Sequence, residues 1–394
     1  MTFLPLSGAP TPALRALGWE WALDDACPGY LASEAVELPE GAADELLRAA
    51  DTLYQLFVDA IPDDLPDAFL RRLSIPENLW EIVRHTWADD HHWHLYGRFD
   101  LALTADGPKL LEFNADTATS IPETAVVQWA SLMAVGLASA DGSAAAQQAN
   151  GLFEGLAAQF TEWRRRNPDR APMLLLTHLP DAPEDAANCA VLAEAAREAG
   201  FDVAHIASID AMQVAATGPD CGVWAETAPG EWLRFDFLFK LVPWEILAEE
   251  EPELTADLNH LTQSRAVVVT NPAYTLVFQS KALLSWLWEQ HPGHPLLLET
   301  RDQPLGGHAA RKPVLGREGQ DVTELQDGRV VSENPGEYAN QPVVYQRWAE
   351  LATDAAGHRY QVGAFWAGEG CALGFRRAAG IITNESAFVP HVVV

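Results

Sequence analysis

The amino-acid sequence predicts an α/β fold, with helices and strands combined in an α+β arrangement. Three observations support this prediction: a hairpin-like segment at 97–123, a βαβ-like segment at 172–206, and a series of strand-like runs after residue 343. At 394 residues, the chain is too long for one compact core and is expected to form two or three lobes.

The first segment contains two strand-like runs, Arg98–Thr104 and Lys109–Asn114, separated by Asp-Gly-Pro, a turn sequence typical of hairpins. Because side chains alternate between faces along a strand, a pairing centred on Asp106 places Asp100 opposite Glu112. The other face of the hairpin is apolar and is expected to be buried, and it carries Phe99, Leu101, Leu103, Leu111 and Phe113.

The polar face of this hairpin carries Arg98, Asp100, Glu112 and Asn114, with Arg98 opposite Asn114. Like charges directly opposite each other repel, because their Cβ atoms are only ~5 Å apart. A divalent cation between Asp100 and Glu112 would remove this repulsion, and an oxygen-only ligand set suits Mg²⁺, which usually shares its site with phosphates. The alternative is a solvated polar face on which Arg98 neutralises both acids. The hairpin alone leaves both interpretations open.

The run Asn114–Ser120 consists mainly of short polar residues, and Pro122 and Glu123 then begin an apolar helix. A polar loop at a helix start can bind an anion or a substrate. The same residues could instead cap the helix through Thr119 or Ser120. Both interpretations can hold at once.

Three histidines precede the hairpin, at His91, His92 and His94, beside two aspartates. Their spacing fits no standard structural zinc site. The sequence therefore favours a surface loop that leads into the Arg98 strand.

The middle of the chain changes character. Pro172–Thr177 predicts a buried strand, Glu184–Ala199 a helix and Phe201–Ile206 a second strand, followed by strands at Phe235–Leu241 and Val267–Thr270. This pattern is typical of a βαβ unit on a separate sheet. The unit contains no GxGxxG or Walker motif, so it is not predicted to bind a nucleotide by itself.

Two lysines after residue 270 suggest phosphate contacts. Lys281 falls in the first turn of a predicted helix, where the helix dipole disfavours a cation unless a phosphate is present; a solvated lysine is the alternative. Lys312 lies in a strand that runs into a loop with Gly316 and Gly319. Such loops let backbone N–H groups approach phosphate, although many ordinary turns share the pattern.

The chain carries 25 basic and 56 acidic residues, a formal net charge of −31. This surface repels nucleic acid and anionic membranes, so neither is an expected partner. It could concentrate a cationic substrate such as a polyamine, but a general role in solubility is the favoured interpretation.

The sequence predicts a cytoplasmic protein. No window of about 18 uninterrupted apolar residues is present, and the first residues contain no basic region typical of a signal peptide. Four scattered cysteines show no metal-binding spacing and are expected to be free thiols in a reducing compartment. They are Cys27, Cys189, Cys221 and Cys371.

The runs RFDLAL and KLLEFNADTATS, with the glutamate that follows, resemble the signature segment of the glutathionylspermidine synthetase family. FKLVPWE and KPVLGREG extend the resemblance over nearly the whole chain. The resemblance implies a circularly permuted ATP-grasp-like fold with an inserted Rossmann-like pre-ATP-grasp lobe. The expected parts are 1–168, with N-terminal helices and the metal-binding hairpin; 169–272, the inserted lobe; and 273–394, the C-terminal ATP-grasp part. No counterpart of the amidase domain of some members is recognised, so a synthetase-only member is expected.

The resemblance also implies a function, an ATP- and Mg²⁺-dependent carboxylate–amine ligase that forms an amide through an acyl phosphate. The expected acid is glutathione or a peptide, and the expected amine is a polyamine. Two alternatives remain, a ligase of the same fold that joins another acid and amine, and a non-catalytic nucleotide-binding protein.

Site residues follow from the same resemblance. Asp100, Glu112 and Asn114 match the metal ligands, and Arg98 matches the catalytic arginine that holds the phosphorylated species. The residues expected to bind ATP are Lys281, Lys312, Gly316, Gly319, Gln346 and Arg376, with Arg377 as the alternative to its neighbour. The residues expected to bind substrate are Thr117, Thr119 and Glu123.

Overall fold

The structure is a computed structural model and describes residues 2–6, 11–16, 19, 22–23, 29–139 and 146–394. Within these ranges the helices are α1 (Thr11–Ala16), α2 (Glu40–Ala60), α3 (Asp67–Arg72), α4 (Trp80–Ala88), α5 (Gln128–Ala134), α6 (Leu152–Arg166), α7 (Pro183–Glu198), α8 (Trp244–Glu250), α9 (Pro252–Gln263), α10 (Thr275–Gln279) and α11 (Ala282–Gln290).

The strands in the same ranges are β1 (Thr2–Pro5), β2 (Glu34–Leu38), β3 (Gly97–Thr104), β4 (Gly107–Asn114), β5 (Met173–His178), β6 (Val203–Ser208), β7 (Gln213–Ala215), β8 (Gly222–Ala228), β9 (Glu231–Phe235), β10 (Phe237–Lys240), β11 (Val268–Thr270), β12 (Thr300–Arg301), β13 (His308–Pro313), β14 (Val322–Gln326), β15 (Arg329–Asn334), β16 (Val343–Arg347), β17 (Ala352–Thr353), β18 (Arg359–Trp366), β19 (Gly370–Ala378), β20 (Ala387–Val389) and β21 (His391–Val393). The predicted mixture of helices and strands is confirmed.

The β3–β4 hairpin belongs to a sheet that is completed by the C-terminal part of the chain. The strand order is β20-β19-β18-β3-β4, and β17 pairs with β18 outside this path. β3 runs antiparallel to β18, with Asp100 opposite Gly363. Helix α2 packs against β18 and β19, and its buried stripe of apolar side chains covers one face of this sheet.

The hairpin register agrees with the sequence prediction near the polar residues and differs beyond them. Asp100 lies opposite Glu112, but the register then shifts and Leu101 lies opposite Leu110. Leu111 is the extra residue of a β-bulge, and it lines a cavity instead of the core. The prediction of a buried Leu111 is therefore wrong, because Leu110 takes that position with 1% exposure.

The middle of the chain forms the predicted parallel sheet, in the order β11-β10-β5-β6. β5 and β6 are adjacent and parallel, and α7 connects them and packs on both. Helix α6 packs against α7 and also reaches the sheet, where the Trp163 ring contacts Phe237 of β10. The βαβ prediction is confirmed.

A third sheet, in the order β12-β16-β13-β14-β15, is antiparallel throughout. It meets the hairpin through β13 and β16, because Gln346 Nε2 donates to the Leu110 carbonyl at 3.3 Å. The two sheets thus face each other across the bulge of β4.

Two remaining expectations concern the cysteines and the membrane. Cys27 lies outside the described residues, while Cys189, Cys221 and Cys371 are free thiols. Among the helices of the described ranges, none combines the length and the apolar character needed to cross a bilayer.

Candidate active site

A cavity of about 310 Å³ lies where the three sheets meet. Its walls include Leu179 and Leu241, which follow the carboxyl ends of two parallel strands, the usual place for ligands in such sheets. Most of the residues predicted from the sequence line it: Arg98, Asp100, Glu112, Asn114, Thr117, Thr119, Lys312, Gly319, Gln346 and Arg376.

Each acid of the hairpin is paired with a different cation. Asp100 is 2% exposed and accepts hydrogen bonds from Arg98 Nε at 2.7 Å and Nη2 at 3.0 Å. Glu112 Oε2 lies 3.0 Å from Lys281 Nζ. The amide of Asn114 donates to Asp100 Oδ2 at 3.1 Å. The interpretation in which Arg98 neutralises both acids on a solvated face is therefore wrong, because this face lines a cavity and Glu112 is paired with Lys281.

The two lysines reach the hairpin from the C-terminal third of the chain. Lys281 directly precedes α11, and its ammonium also donates to the Gly316 carbonyl at 2.6 Å. Lys312 donates to the Leu111 carbonyl at 3.1 Å and to Gln346 Oε1 at 2.7 Å. Both ammonium groups thus act electrostatically on Glu112, and Lys312 is held by two uncharged acceptors, an arrangement suited to an anionic ligand.

The electrostatics of this group are strongly coupled. Burial would raise the pKa of Glu112, but the ammonium groups of Lys281 and Lys312 outweigh burial and hold it below its usual value. Burial lowers the pKa of Lys312 to about 8, against the opposing effect of Glu112. Burial would also lower the pKa of Arg98, yet the Asp100 carboxylate raises it. The carboxylates of Asp100 and Glu112 thus favour the charged forms of Arg98 and Lys312.

The side chains of the polar loop after β4 do not cap the following helix. Helical backbone begins at Ile121, whose amide donates to Asn188 Oδ1 at 3.0 Å, and the Thr124 amide donates to the Ser120 carbonyl at 3.1 Å. Arg98 Nη1 donates to the Thr119 carbonyl at 2.8 Å, and Ser120 accepts from Arg376 Nη2 at 2.7 Å. The capping interpretation is therefore wrong, because arginines of the cavity occupy these polar groups.

A family model described as "Glutathionylspermidine synthase preATP-grasp" matches residues 7–394. The chain belongs to this family. The predicted family resemblance is thus confirmed.

Relatives of this family protein include named enzymes. It is 29% identical over 369 residues to a candidate acid–amine ligase of Haemophilus influenzae, covering 89% of this chain and 88% of that protein. It is 26% identical over 387 residues to the bifunctional glutathionylspermidine synthetase/amidase of Escherichia coli, and 24% identical over 359 residues to the trypanothione synthetase of Crithidia fasciculata. These alignments cover 91% and 84% of this chain but only 59% and 52% of the two relatives.

The neighbouring arginines of this glutathionylspermidine synthase family protein have different surroundings. Arg376 lines the cavity and donates to Tyr30 Oη at 2.9 Å and to the Asn384 carbonyl at 2.7 Å. Arg377 points to the other side of β19 and pairs with Glu34. Glu123 does not belong to the cavity lining; it is fully buried and accepts a hydrogen bond from Tyr30 at 2.6 Å. It is joined to the cavity through Tyr30 and Arg376.

The glycine-rich loop requires glycine at one position. Gly319 has a positive φ of 69°, and a Cβ there would lie 2.4 Å from the Ile382 carbonyl oxygen. The preceding Arg317 lines the cavity and forms an ion pair with the buried Glu245. This pair ties the loop to the middle of the chain.

Several residues that position the site carry no sequence signal. Asn271 donates its amide to the carbonyls of Tyr96, Ala115 and Asp116 at 2.9–3.3 Å, and Gln279 Oε1 accepts from the Ala115 amide at 2.9 Å. They fix the backbone at the start of the polar loop. No motif marks them, because their role exists only once distant segments meet.

A buried ion pair fixes Asp116, the residue of the polar loop that follows Ala115. Lys240 Nζ lies 3.1 Å from Asp116 Oδ1, and both side chains are buried. The sequence indicates this pair only through Lys240, which directly follows the apolar residues Phe237–Phe239. A charge in such a buried strand is rarely unpaired.

Glu184, in the first turn of α7, provides a pH-dependent test of the charges near the cavity. Burial and the carboxylate of Glu123 raise its pKa from 4.5 to about 7. A folded-state pKa above the ordinary value means that stability is lost as pH rises from about 4.5 to about 7. Glu184→Gln should therefore raise the free energy of unfolding by about 1–2 kcal/mol at pH 8, while the difference vanishes near pH 4.

Urea unfolding of both proteins at the two pH values measures this effect. Glu194→Gln, on the exposed face of the same helix, is the matched control. An equal gain at both pH values would contradict the electrostatic explanation.

Proposed function

We propose that this protein is an ATP- and Mg²⁺-dependent acid–amine ligase that forms an amide bond through an acyl phosphate. The named relatives confirm the prediction that the chain is an enzyme, a ligase that joins an acid to an amine. One observation supports the finer proposal: acids of an N-terminal hairpin and the C-terminal Lys312 line one cavity, and Lys281, behind this lining, has its Nζ 3.0 Å from Glu112. Carboxylate oxygens can bind a metal ion and nearby ammonium groups can bind phosphates, so together they suit a metal–polyphosphate complex.

The residues of the hairpin fit a magnesium ion. Two carboxylates and an amide oxygen form a hard donor set, and Asp100 and Glu112 lie directly opposite each other in the register. Asp100, Glu112 and Asn114 would hold the ion, which, when bound, neutralises and orients the phosphates of ATP. Arg98 and Lys281 now neutralise these carboxylates, and each has a side chain that can turn to a phosphate.

The proposed reaction has two steps. A substrate carboxylate oxygen attacks the γ-phosphorus of ATP, the bond from that phosphorus to the bridging oxygen breaks, and ADP leaves. The nitrogen of the amine then attacks the acyl carbon, loses a proton, and displaces inorganic phosphate. Arg98, Lys281 and Lys312 stabilise the negative charge that develops on the transferred phosphoryl group.

The remaining predicted residues fit this scheme as proposals. Gln346 and the loop of Gly316 and Gly319 contact ATP, and Arg376 contacts a phosphate or the substrate. Thr117 and Thr119 line the cavity beside Arg98 and suit the substrate carboxylate. Glu123 acts through Tyr30, because it is buried. For the substrates we propose glutathione or another small peptide as the acid and a polyamine as the amine, in keeping with the name of the Escherichia coli relative.

A co-substrate screen tests the function. The purified protein with ATP and Mg²⁺ is offered pairs of acids and amines, and the release of ADP and phosphate is measured. The proposal expects release that depends on both members of a pair. ATP binding without such release from any pair would favour the non-catalytic alternative, and activity with other pairs would correct the substrates alone.

The two arginines of β19 give a matched test of the site. Arg376→Lys should slow turnover about tenfold or more, because lysine cannot replace a planar guanidinium that bonds Tyr30 and Ser120 together. Arg377→Lys should stay close to wild type, since Arg377 pairs with Glu34 away from the cavity. Phosphate release under identical conditions measures both. A larger loss for Arg377→Lys would reverse the assignment.

A further inference from the structure

Three potential metal ligands cluster at the end of α4, away from the cavity. His85 lies in the last turn of α4, Asp89 follows the helix directly, and His92 lies in the turn that leads toward β3. One ligand atom from each lies within 4.8 Å of the other two. The sequence favoured a surface loop for His91, His92 and His94, and this is wrong for two of them, because His92 is 3% and His94 1% exposed.

The two carboxylate oxygens of Asp89 have different neighbours. Oδ1 accepts from the His91 backbone amide at 3.0 Å and contacts the ring Nδ1 of His91 at 2.6 Å, which fixes the turn. Oδ2 faces the other way and lies 3.9 Å from both His85 Nε2 and His92 Nε2. These separations are too long for hydrogen bonds, yet they are short enough for one shared ion.

Both imidazoles turn unsatisfied nitrogens toward this point. His85 Nε2 and both ring nitrogens of His92 are buried and have no hydrogen-bond partner in the described part of the chain. Buried polar atoms without partners are costly and rare, and a neutral imidazole nitrogen is a good metal ligand.

We propose that His85, Asp89 and His92 form a binding site for a divalent transition-metal ion of the zinc type. Two imidazole nitrogens and one carboxylate oxygen suit Zn²⁺ and disfavour Mg²⁺, which prefers oxygen ligands. Tetrahedral ligands at zinc distances lie about 3.3 Å apart, so small rotations of the side chains complete the site. Water supplies the remaining ligand, because His85 and Asp89 are partly exposed.

One nearby charge opposes the ion. Arg265 acts electrostatically on His92, but its Nη2 is directed toward Asp169 at 3.4 Å. At this site the guanidinium of Arg265, which Asp169 partly neutralises, repels the ion, and the carboxylate of Asp89 attracts it.

The metal ion would stabilise the fold and would take no part in the reaction. None of the three ligands belongs to the lining of the cavity described above. The ion would tie the end of α4 to the segment that enters β3, where Leu95 N donates to Asn271 Oδ1 at 3.0 Å. Metal binding would thus stabilise the entry to the strand that carries Arg98.

Zinc binding by matched variants tests the proposal. The full chain, stripped with EDTA and kept in excess Mg²⁺ to occupy oxygen-ligand sites, is titrated with Zn²⁺ in a calorimeter. Wild type should bind one equivalent, with a rise in Tm. His85→Ala and Asp89→Asn should each weaken binding about a hundredfold or more, a loss at least as large as that seen for residues that support metal ligands. The control is His260→Ala, which removes an exposed histidine of α9 and no proposed ligand.

The possible results of this titration either support or contradict the proposed metal site. Retained Zn²⁺ binding in His260→Ala together with loss in His85→Ala supports the site, and a Co²⁺ derivative with a visible d–d band that disappears in His85→Ala adds a second readout. If Asp89→Asn fails to fold, His85→Ala alone decides, because His85 lies partly exposed on a helix. Failure of wild type to bind Zn²⁺, or an equal effect of all variants, would overturn the assignment.

Discussion

Replacement of Arg98 by lysine should slow turnover by about 10²-fold or more, the loss seen when one preorganised donor is removed, while ATP affinity stays within a few-fold. The guanidinium grips both oxygens of Asp100, at 2.7 and 3.0 Å, and also the Thr119 carbonyl at 2.8 Å. A lysine cannot reproduce this planar fork. Gly363, which lies opposite Asp100, leaves the space that the Arg98 side chain needs, because a Cβ at residue 363 would lie 2.8 Å from Arg98 Cδ.

The measurement is phosphate release with an acid–amine pair found by the screen, together with calorimetric binding of a non-hydrolysable ATP analogue. Arg72→Lys is the matched control, because Arg72 makes a similar two-pronged contact with Glu289 outside the cavity, at 2.7 and 2.8 Å. If Arg98 only neutralises Asp100, the lysine variant should turn over like wild type, and the catalytic role would be refuted.

Replacement of Glu112 by glutamine should reduce Mg-ATP turnover by about 10³-fold and raise the Mg²⁺ concentration needed for half-maximal rate. The change removes one charged metal ligand and the partner of Lys281. Stability should change much less, because Lys281 keeps its bond to Gly316 and Lys312 keeps its bonds to Leu111 and Gln346.

Glu324→Gln is the control for a buried carboxylate that lies outside the site. Glu324 is 5% exposed on β14 and is held by His308 and Ser332, each at 2.9 Å. Turnover, Mg²⁺ dependence and Tm are measured on both variants. A loss of most of the thermal stability in Glu112→Gln, with activity falling in proportion, would show that Glu112 serves as a structural counter-ion.

Local alternation predicted the polar face of the hairpin, but not its bulge. The placement of Asp100 opposite Glu112 follows from the turn and from the period of the strand alone. The shift at Leu111 depends on distant segments, since Leu110 N donates to the Leu296 carbonyl at 2.8 Å and Lys312 binds the Leu111 carbonyl. Such contacts have no local signature in the sequence.

The same difference between local patterns and contacts with distant segments explains which site residues the sequence indicates. Lys281 and Lys312 could be singled out because a helix start and a glycine-rich loop surround them. Asn271 and Gln279 could not, because an amide becomes a positioning group only when the loop after β4 is folded against it. His92 was misjudged for a related reason, since the polar run around it gives no indication that the ring is buried.

The pairing of β3 with β18 has a consequence for synthesis of the protein. Gly97 pairs with Trp366, so the strand that carries Arg98 leaves the ribosome long before its neighbour exists. Until then, β3 exposes an unpaired edge on the nascent chain, and such an edge invites aggregation or the binding of a chaperone. A truncation before β18 should therefore yield no partly active enzyme. Addition of the missing C-terminal fragment in trans could restore the sheet and, with it, the arginine and the acids at once.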